Sequence, residues 1–277
     1  MSSRLIVVVV DGMRDDMAKD NLGYIEHLVD VGVATRLSVQ SELPSISRPL
    51  YEVLLTGTPS SENGITSNHS IQLSSQESLF HLTTQQGLVN ATASYYWVSE
   101  LYNRSPFDFV YDREQKSTGK AIQHGKFYWD DAYPDSHLMM DGEVLRQQVE
   151  PDFLYIHPMN VDDTGHKFGG ISKEYQAKVL QMDNYLSGLI PIWQEAGYQI
   201  VITADHGMSE LGLHGGTTAS ERMVPLYIIS NKVKKGRFDF VFPQLAFAPF
   251  MCKLMDITKS EKMQALPDLI ISLMESD

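Results

Sequence analysis

Scarcity sets the first limits on this chain. It has one cysteine, Cys252, so an internal disulfide framework and a thiolate-rich zinc site are both excluded. A lone thiol of this kind serves best as a buried apolar filler. Basic residues are also in short supply: 22 Lys and Arg stand against 35 Asp and Glu, a net charge of −13. That balance argues against a nucleic-acid polymer or an anionic membrane as partner, because both recruit an excess of Lys and Arg. A phosphate-bearing small molecule would need a local positive source instead, such as metal ions. Long hydrophobic runs are missing too. The apolar stretch Leu5 to Val10 ends at Asp11, too short for the h-region of a signal peptide or for a bilayer span. The expectation is a soluble, cytoplasmic chain in which the Asn-x-Ser/Thr triplets at Asn68, Asn90 and Asn103 carry no glycan. No internal repeat, low-complexity tract or linker divides it, so one domain is expected over residues 1–277.

What is present is a succession of βα units. Arg4 to Val10 is a continuous β-branched run, the mark of a strand buried on both faces of a parallel sheet, and it delivers Asp11-Gly12 at its end. An aspartate there either caps the next helix or serves as a ligand. A helix is expected over Asn21 to Val31, with Tyr24, Ile25, Leu28 and Val29 on one face, then a strand over Val33 to Val39. The Pro-punctuated loop Ser41 to Pro49 leads into a helical pattern, Leu50 to Thr56, closed by Gly57. Ser47 falls near the start of that helix, where a hydroxyl acts either as a cap or as a nucleophile in the positive field of the helix end. Helix Ser78 to Gln86 and strand Ala91 to Val98 make the next unit. From Leu101 to Pro134 regular period fails, which reads as a lid over a site or as an insertion with its own hairpin.

Regularity returns with helix Asp135 to Val149 and strand Phe153 to Ile156. Beyond that strand lie Asp162 and His166, four apart, in a segment that reads as too polar and too close to Gly169-Gly170 for a core helix, yet able to fold onto one ion. A helix from Ser172 to Ala196 stops at Gly197, and the strand after it presents Asp205-His206, with Gly207 allowing a sharp turn. His214 follows in a glycine-flanked loop. Val224 to Ile229 reads as a buried strand, the alternation Phe238, Phe240, Phe242 as an edge strand, and helices Leu245 to Met255 and Asp268 to Met274 finish the chain.

Strands of one parallel sheet bring their C-terminal ends to a common rim, where open α/β sheets bind ligands. Asp11, Ser47, Asp162, His166, Asp205, His206 and His214 each lie after a strand or in such a loop. Carboxylates with imidazoles suit Zn²⁺ or Mn²⁺, and this many ligands suit two ions. A two-metal site clamps the attacking and leaving oxygens of a phosphoryl displacement, and a serine touching one ion would be ionised by it rather than by a histidine base.

The order of these motifs resembles the alkaline phosphatase superfamily, most closely its nucleotide pyrophosphatase/phosphodiesterase branch. Val10-Asp11-Gly-Met-Arg14 resembles the opening metal motif, and Pro44-Ser-Ile-Ser-Arg-Pro-Leu-Tyr-Glu-Val-Leu-Leu-Thr-Gly57 the nucleophile loop and its helix. Asp-x-x-x-His, Asp-His-Gly and His-Gly-Gly follow in turn, and Ala248-Pro249-Phe to Leu254-Met-Asp-Ile257 is similar to the closing helix. The match runs from Val7 to about Ile257. The resemblance implies an α/β, alkaline-phosphatase-like three-layer sandwich, a mostly parallel central sheet with helices on both faces. It implies that Asp162, His166 and His214 hold one zinc while Asp11, Ser47, Asp205 and His206 hold the other, that Ser47 is the nucleophile, and that Asn68 contacts a phosphate oxygen.

Three departures bear on the substrate. Position 48 is Arg where the diesterase branch usually has an aromatic that packs on a nucleobase; Arg48 either pairs a second phosphate or carboxylate of the substrate or makes a surface salt bridge. The chain lacks room for the cap domain of the superfamily's mutases. Ser47-Arg48 has the wrong spacing for a sulfatase motif, and Cys252 is remote. The expected activity is dizinc hydrolysis of a small-molecule phosphate ester, diester first, with a phosphomonoesterase or phosphonate hydrolase as alternatives on the same site. A non-catalytic metal- or ligand-binding module is the alternative from another class.

Overall fold

The computed structural model describes residues 3–275. Its strands are β1 (Leu5–Val9), β2 (Thr35–Gln40), β3 (Asn90–Tyr95), β4 (Glu114–Lys116), β5 (His124–Tyr128), β6 (Phe153–Ile156), β7 (Gln199–Thr203), β8 (Met223–Ile229) and β9 (Gly236–Pro243). They form one sheet in the order β4-β5-β3-β6-β1-β7-β8-β2-β9. Only β4 and β8 run against the others, so the sheet is mostly parallel. Because β1, β3 and β6 are buried at every position, both faces must be covered. The helices fall into two packed sets. Asp135–Val149, Lys173–Glu195, Asp15–Asn21 and Gly23–Asp30 form one; Ser47–Thr56, Leu79–Gln85, Tyr96–Tyr102 and Phe247–Met255 form the other. This is the α/β sandwich that the resemblance implies. Among the described residues no helix is long and apolar enough to cross a membrane.

Several boundaries differ from expectation, each for a local reason. The helix expected over Asn21 to Val31 is Gly23–Asp30, and a separate helix that the pattern did not announce, Asp15–Asn21, precedes it across Leu22. The strand begun near Ala91 stops at Tyr95, and Val98 lies in the helix Tyr96–Tyr102. Leu101 to Pro134 is less irregular than its sequence: β4 and β5 pair antiparallel within it, and β5 extends the sheet beside β3. β4 is only Glu114, Gln115 and Lys116, with no apolar residue to reveal it. The closing helix is Asp268–Ile271, and Met274 instead bridges Val233.

The correction that matters for the site concerns Asp162 and His166. Both lie on a helix, Asn160–Phe168, where a spacing of four puts them on one face. Its buried side is Asn160, Val161, Asp162, Thr164 and Gly165, so no aliphatic stripe announces a helix. Gly165 is what lets it approach: a Cβ there would lie 2.8 Å from Met208 Cε. Gly207, expected to turn the chain, serves by close approach instead, since its Cβ would fall 2.1 Å from the Ser220 carbonyl oxygen.

Register places the ends of the central strands together. Val8 stands opposite both Ile156 of β6 and Ile202 of β7, and Val9 opposite Thr203. Two residues further on, Asp11 and Asp205 therefore arrive side by side, with His157 just past the end of β6. Gly12 adopts φ of +70°, and a Cβ on it would lie 2.8 Å from Asp162 Cβ. A Gly12→Ala chain is expected to lose stability, the left-handed backbone alone costing roughly 1–2 kcal/mol and the collision with Asp162 adding to it. Thermal unfolding reads this out; a melting temperature equal to the parent's would show that the Asn160–Phe168 helix gives way freely.

Candidate metal centre

Two groups of side chains converge at this rim. In the first, His206 Nε2 lies 3.3 Å from Asp11 Oδ1, 3.4 Å from Asp205 Oδ2 and 3.1 Å from Ser47 Oγ. In the second, His166 Nε2 lies 3.3 Å from Asp162 Oδ2 and 3.1 Å from His214 Nε2, which is 3.7 Å from Asp162 Oδ1. The groups adjoin, because ligand atoms of Asp11, Asp162 and His206 all fall within 4.8 Å of one another. The His206 and His214 rings are nearly parallel with centroids 3.8 Å apart. All seven residues read from the sequence as ligands thus meet in one place.

The ring orientations are set by the backbone. His166 Nδ1 meets the Gly212 carbonyl at 2.8 Å, His206 Nδ1 the Gly207 carbonyl at 2.8 Å, and His214 Nδ1 the Ser45 carbonyl at 3.0 Å. A carbonyl can only accept, so each Nδ1 carries the proton and donates. In the neutral form of each ring the lone pair then sits on Nε2, facing the cavity, as a metal ligand requires.

The carboxylates show the same division of labour. Asp205 Oδ1 accepts from the Gly12 amide at 3.2 Å, and Asp11 Oδ2 accepts from the Tyr51 hydroxyl. Their other oxygens, Asp205 Oδ2 and Asp11 Oδ1, are buried without a hydrogen-bond partner among the described residues, as is Asp162 Oδ1. Burial and the neighbouring Asp11 charge push the Asp205 carboxyl well up, and the same two causes raise Asp162. Burial would also raise Asp11, but contacts with His157, His206 and Tyr51 hold it down at about 2. The hydrogen bond to Asp162 lifts His166 to about 9, whereas burial and the nearby His206 charge lower His214 to about 4. No Lys or Arg pairs with these three carboxylates in the described ion pairs. Orphaned buried oxygens facing imidazole lone pairs fit divalent cations, and the mixture of carboxylate with imidazole suits zinc or manganese.

Ser47 is the first residue of the helix Ser47–Thr56, whose N-cap position is Ile46, and its hydroxyl caps nothing. Its Oγ faces His206 instead. Asn68 stands beside it, its Oδ1 accepting from the Arg48 amide at 3.0 Å. With the oxygen so held, the Asn68 Nδ2 group is the end left to donate to a ligand. Arg48 corrects the reading of a surface salt bridge, because its ion pair lies in the interior. Its side chain is buried, paired with Glu100, donating at 2.6 Å to the Ser70 carbonyl and lying 4.8 Å over the Trp97 ring. The aromatic and acidic partners of the helix Tyr96–Tyr102 claim the guanidinium before any ligand can.

Two residues near the centre went unread in the sequence. His157 directly follows β6, one residue nearer its strand end than Asp205 is to the end of β7, and its Nε2 lies 3.3 Å from Asp11 Oδ2. Tyr51 lies four residues after Ser47 and so on the same helix face.

Comparisons with known proteins agree with this geometry. The sequence profile of the family described as type I phosphodiesterase / nucleotide pyrophosphatase matches residues 5–215. GPI ethanolamine phosphate transferase 2 of Saccharomyces cerevisiae is 23% identical over 245 residues, covering 83% of this chain and 28% of that protein. The catalytic subunit of the Homo sapiens transferase of that name is 23% identical over 274 residues, covering 87% of this chain and 25% of that protein. The chain therefore spans about a quarter of these relatives' length. Among solved structures, murine ectonucleotide pyrophosphatase/phosphodiesterase 5 superposes with a TM-score of 0.78 at 12% identity, over 99% of this chain and 100% of that one. An inactive variant of it in complex with AMP gives 0.77 at 12% identity, with the same coverage of both chains. At this identity the likeness shows the fold.

The raised His166 fixes a pH dependence. Its extra stability is present below the ordinary histidine range and is lost as pH climbs through about 9. The lowered His206 and His214 act with the opposite sign, but only below the ordinary histidine range, so the informative window is from about pH 7 to about pH 9. A cation needs these groups deprotonated and binds more tightly as pH rises. Chelator-treated protein is therefore expected to melt lower at the top of this window than at its bottom, while the increment produced by added zinc grows. A zinc increment that shrinks with rising pH would contradict the assignment of these groups as ligands.

Proposed function

The chain belongs to the type I phosphodiesterase/nucleotide pyrophosphatase family, and from that premise we propose that it is a dizinc hydrolase of small phosphodiesters working through a phosphoseryl intermediate on Ser47. One observation carries the reading: Ser47 Oγ faces the same point as Asp11 Oδ1, Asp205 Oδ2 and His206 Nε2, next to the group of Asp162, His166 and His214. Asp11, Asp205, His206 and Ser47 would hold one zinc, and Asp162, His166 and His214 the other. When bound, the pair supplies positive charge against the phosphate oxygens and lowers the pKa of the serine hydroxyl.

The chain's own groups do the rest. Ser47 gives up its hydroxyl proton to solvent water and its Oγ attacks phosphorus in line, forming a P–O bond to serine as the P–O bond to the leaving alcohol breaks, and that alkoxide takes up a proton from water. The Asn68 amide, its oxygen tied to the Arg48 backbone, donates to a non-bridging oxygen and so favours the charge that builds there. Water then attacks the phosphoseryl group and Ser47 leaves with its proton restored. Two inversions give retention at phosphorus.

The burial of Arg48 bears on the choice of ester. A dianionic monoester would profit from a free guanidinium beside the nucleophile, and Arg48 is consumed by Glu100, which favours the diester over the monoester or a phosphonate. The names of the relatives support a second reading, transfer of the phosphoryl-bearing group to an alcohol in place of water. Adding an alcohol acceptor to a diester reaction and measuring the split between free and transferred product distinguishes the two. A metal-binding module without catalysis would hold zinc and turn over no ester.

Ser47→Ala is expected to lower turnover of bis-p-nitrophenyl phosphate on the order of a thousandfold or more, with zinc content close to the parent's because the other ligands remain. Steady-state rates with metal analysis of the same sample check this. Undiminished turnover would remove Ser47 from the mechanism.

A further inference from the structure

His157 is the one histidine at the rim that is not oriented like a ligand. Its backbone is fixed at both ends: the amide donates to the Ala93 carbonyl at 2.9 Å, and its own carbonyl accepts from the Tyr128 hydroxyl at 2.7 Å. The side chain is fully buried, its ring edge-on to Tyr51 with centroids 4.4 Å apart and nearly parallel to Tyr155 at 6.2 Å. Yet neither ring nitrogen has a well-aligned hydrogen-bond partner among the described residues. His166, His206 and His214 each spend Nδ1 on a backbone carbonyl and turn Nε2 to the cavity; His157 does not. A buried imidazole with nothing to bond is costly, and such a group calls for a role.

The atom it faces identifies that role. Nε2 of His157 lies 3.3 Å from Asp11 Oδ2, the oxygen that already accepts from Tyr51, while Asp11 Oδ1 is the one turned to His206. We propose that His157 is a positioning residue which, together with Tyr51, captures Oδ2 of Asp11 and so aims Oδ1 at the cation held with Asp205, His206 and Ser47. A carboxylate oxygen bonded to the Tyr51 hydroxyl and approached at 3.3 Å by His157 Nε2 leaves the other oxygen as the one to offer. Outer groups of this kind set the affinity of the ligands they hold. The ligand atoms of Asp11, His157 and Asp205 also fall within 4.8 Å of one another, so the rival is that His157 itself binds the ion. The inference rests on the reading of the rim as a metal centre.

The experiment is titration of the cation-free full chain with Zn²⁺ against a chromogenic chelator, for the parent and for His157→Phe, His157→Gln and Tyr51→Phe. Phenylalanine keeps the packing between Tyr51 and Tyr155 but donates nothing; glutamine keeps an N–H donor and is a poor zinc ligand. The expected result is about 10- to 100-fold weaker binding of one of the two ions in His157→Phe, with the other ion unaffected. Tyr51→Phe should weaken the same ion, and His157→Gln should recover most of the loss. Equal affinities in the parent and His157→Phe would reduce His157 to packing and overturn the proposal. A loss in His157→Gln as deep as in His157→Phe would also overturn it, in favour of direct ligation. A parent that binds no zinc would instead sink the metal centre itself. Thermal melts of the cation-free variants verify that each is folded before titration.

Discussion

Three buried carboxylates stand together with imidazoles but no Lys or Arg paired to them among the described residues, and this sets the terms for everything built around the rim. Asp11 and Asp205 are wholly buried and Asp162 nearly so, and each keeps one oxygen without a partner. Charges of one sign in a dry site repel strongly, and the unpaired oxygens forgo their hydration. A chain with a net charge of −13 gains nothing by gathering more of that sign in its interior. The arrangement becomes favourable when cations enter it, and nearly everything around it can be understood as preparation for that: parallel strands that end level with one another, carbonyls that fix three imidazoles, and amide or hydroxyl donors that tie down one oxygen of Asp11 and of Asp205 while leaving the other free.

The same organisation divides the surroundings into parts that meet the cations and parts that hold those parts still. Arg48 belongs to the second kind. Through its backbone it holds Asn68, and through its side chain it ties the Ser70 carbonyl and Glu100 together, while Glu100 accepts from the Phe107 amide. One residue next to the nucleophile thereby fastens the Asn68 loop and the start of the 101–134 segment to the helix that carries Ser47. Buried ion pairs of this kind contribute less to net stability than to fixing one arrangement, and a fixed arrangement is what in-line attack needs.

How much of this was legible in the sequence depended on whether a residue's role left a local trace. Asp11, Asp205 and His206 follow β-branched runs, and parallel register does the rest, so their meeting could be foreseen from pattern alone. Asp162 and His166 were recognisable as a pair by their spacing, but their helix was not, because Val161 is the one aliphatic residue on a buried face otherwise made of Asn160, Asp162, Thr164 and Gly165. Ser47 left a cap and a nucleophile open, and the position of its hydroxyl removes the cap. Arg48 was misread because nothing local says that Glu100 and Trp97 lie across from it, fifty residues on. β4 escaped because a three-residue polar strand has no hydrophobic period. His157 gave the one signal that went unused, a polar residue directly after a buried strand, beside others already taken as meaningful.

Anomalous diffraction from crystals grown with zinc decides whether this rim takes two cations in two distinct ligand sets. Two peaks are expected in each molecule, one bounded by Asp11, Ser47, Asp205 and His206 and one by Asp162, His166 and His214. Zinc found elsewhere on the chain with none at this rim, or an empty rim at saturating zinc, would contradict the two-cation arrangement.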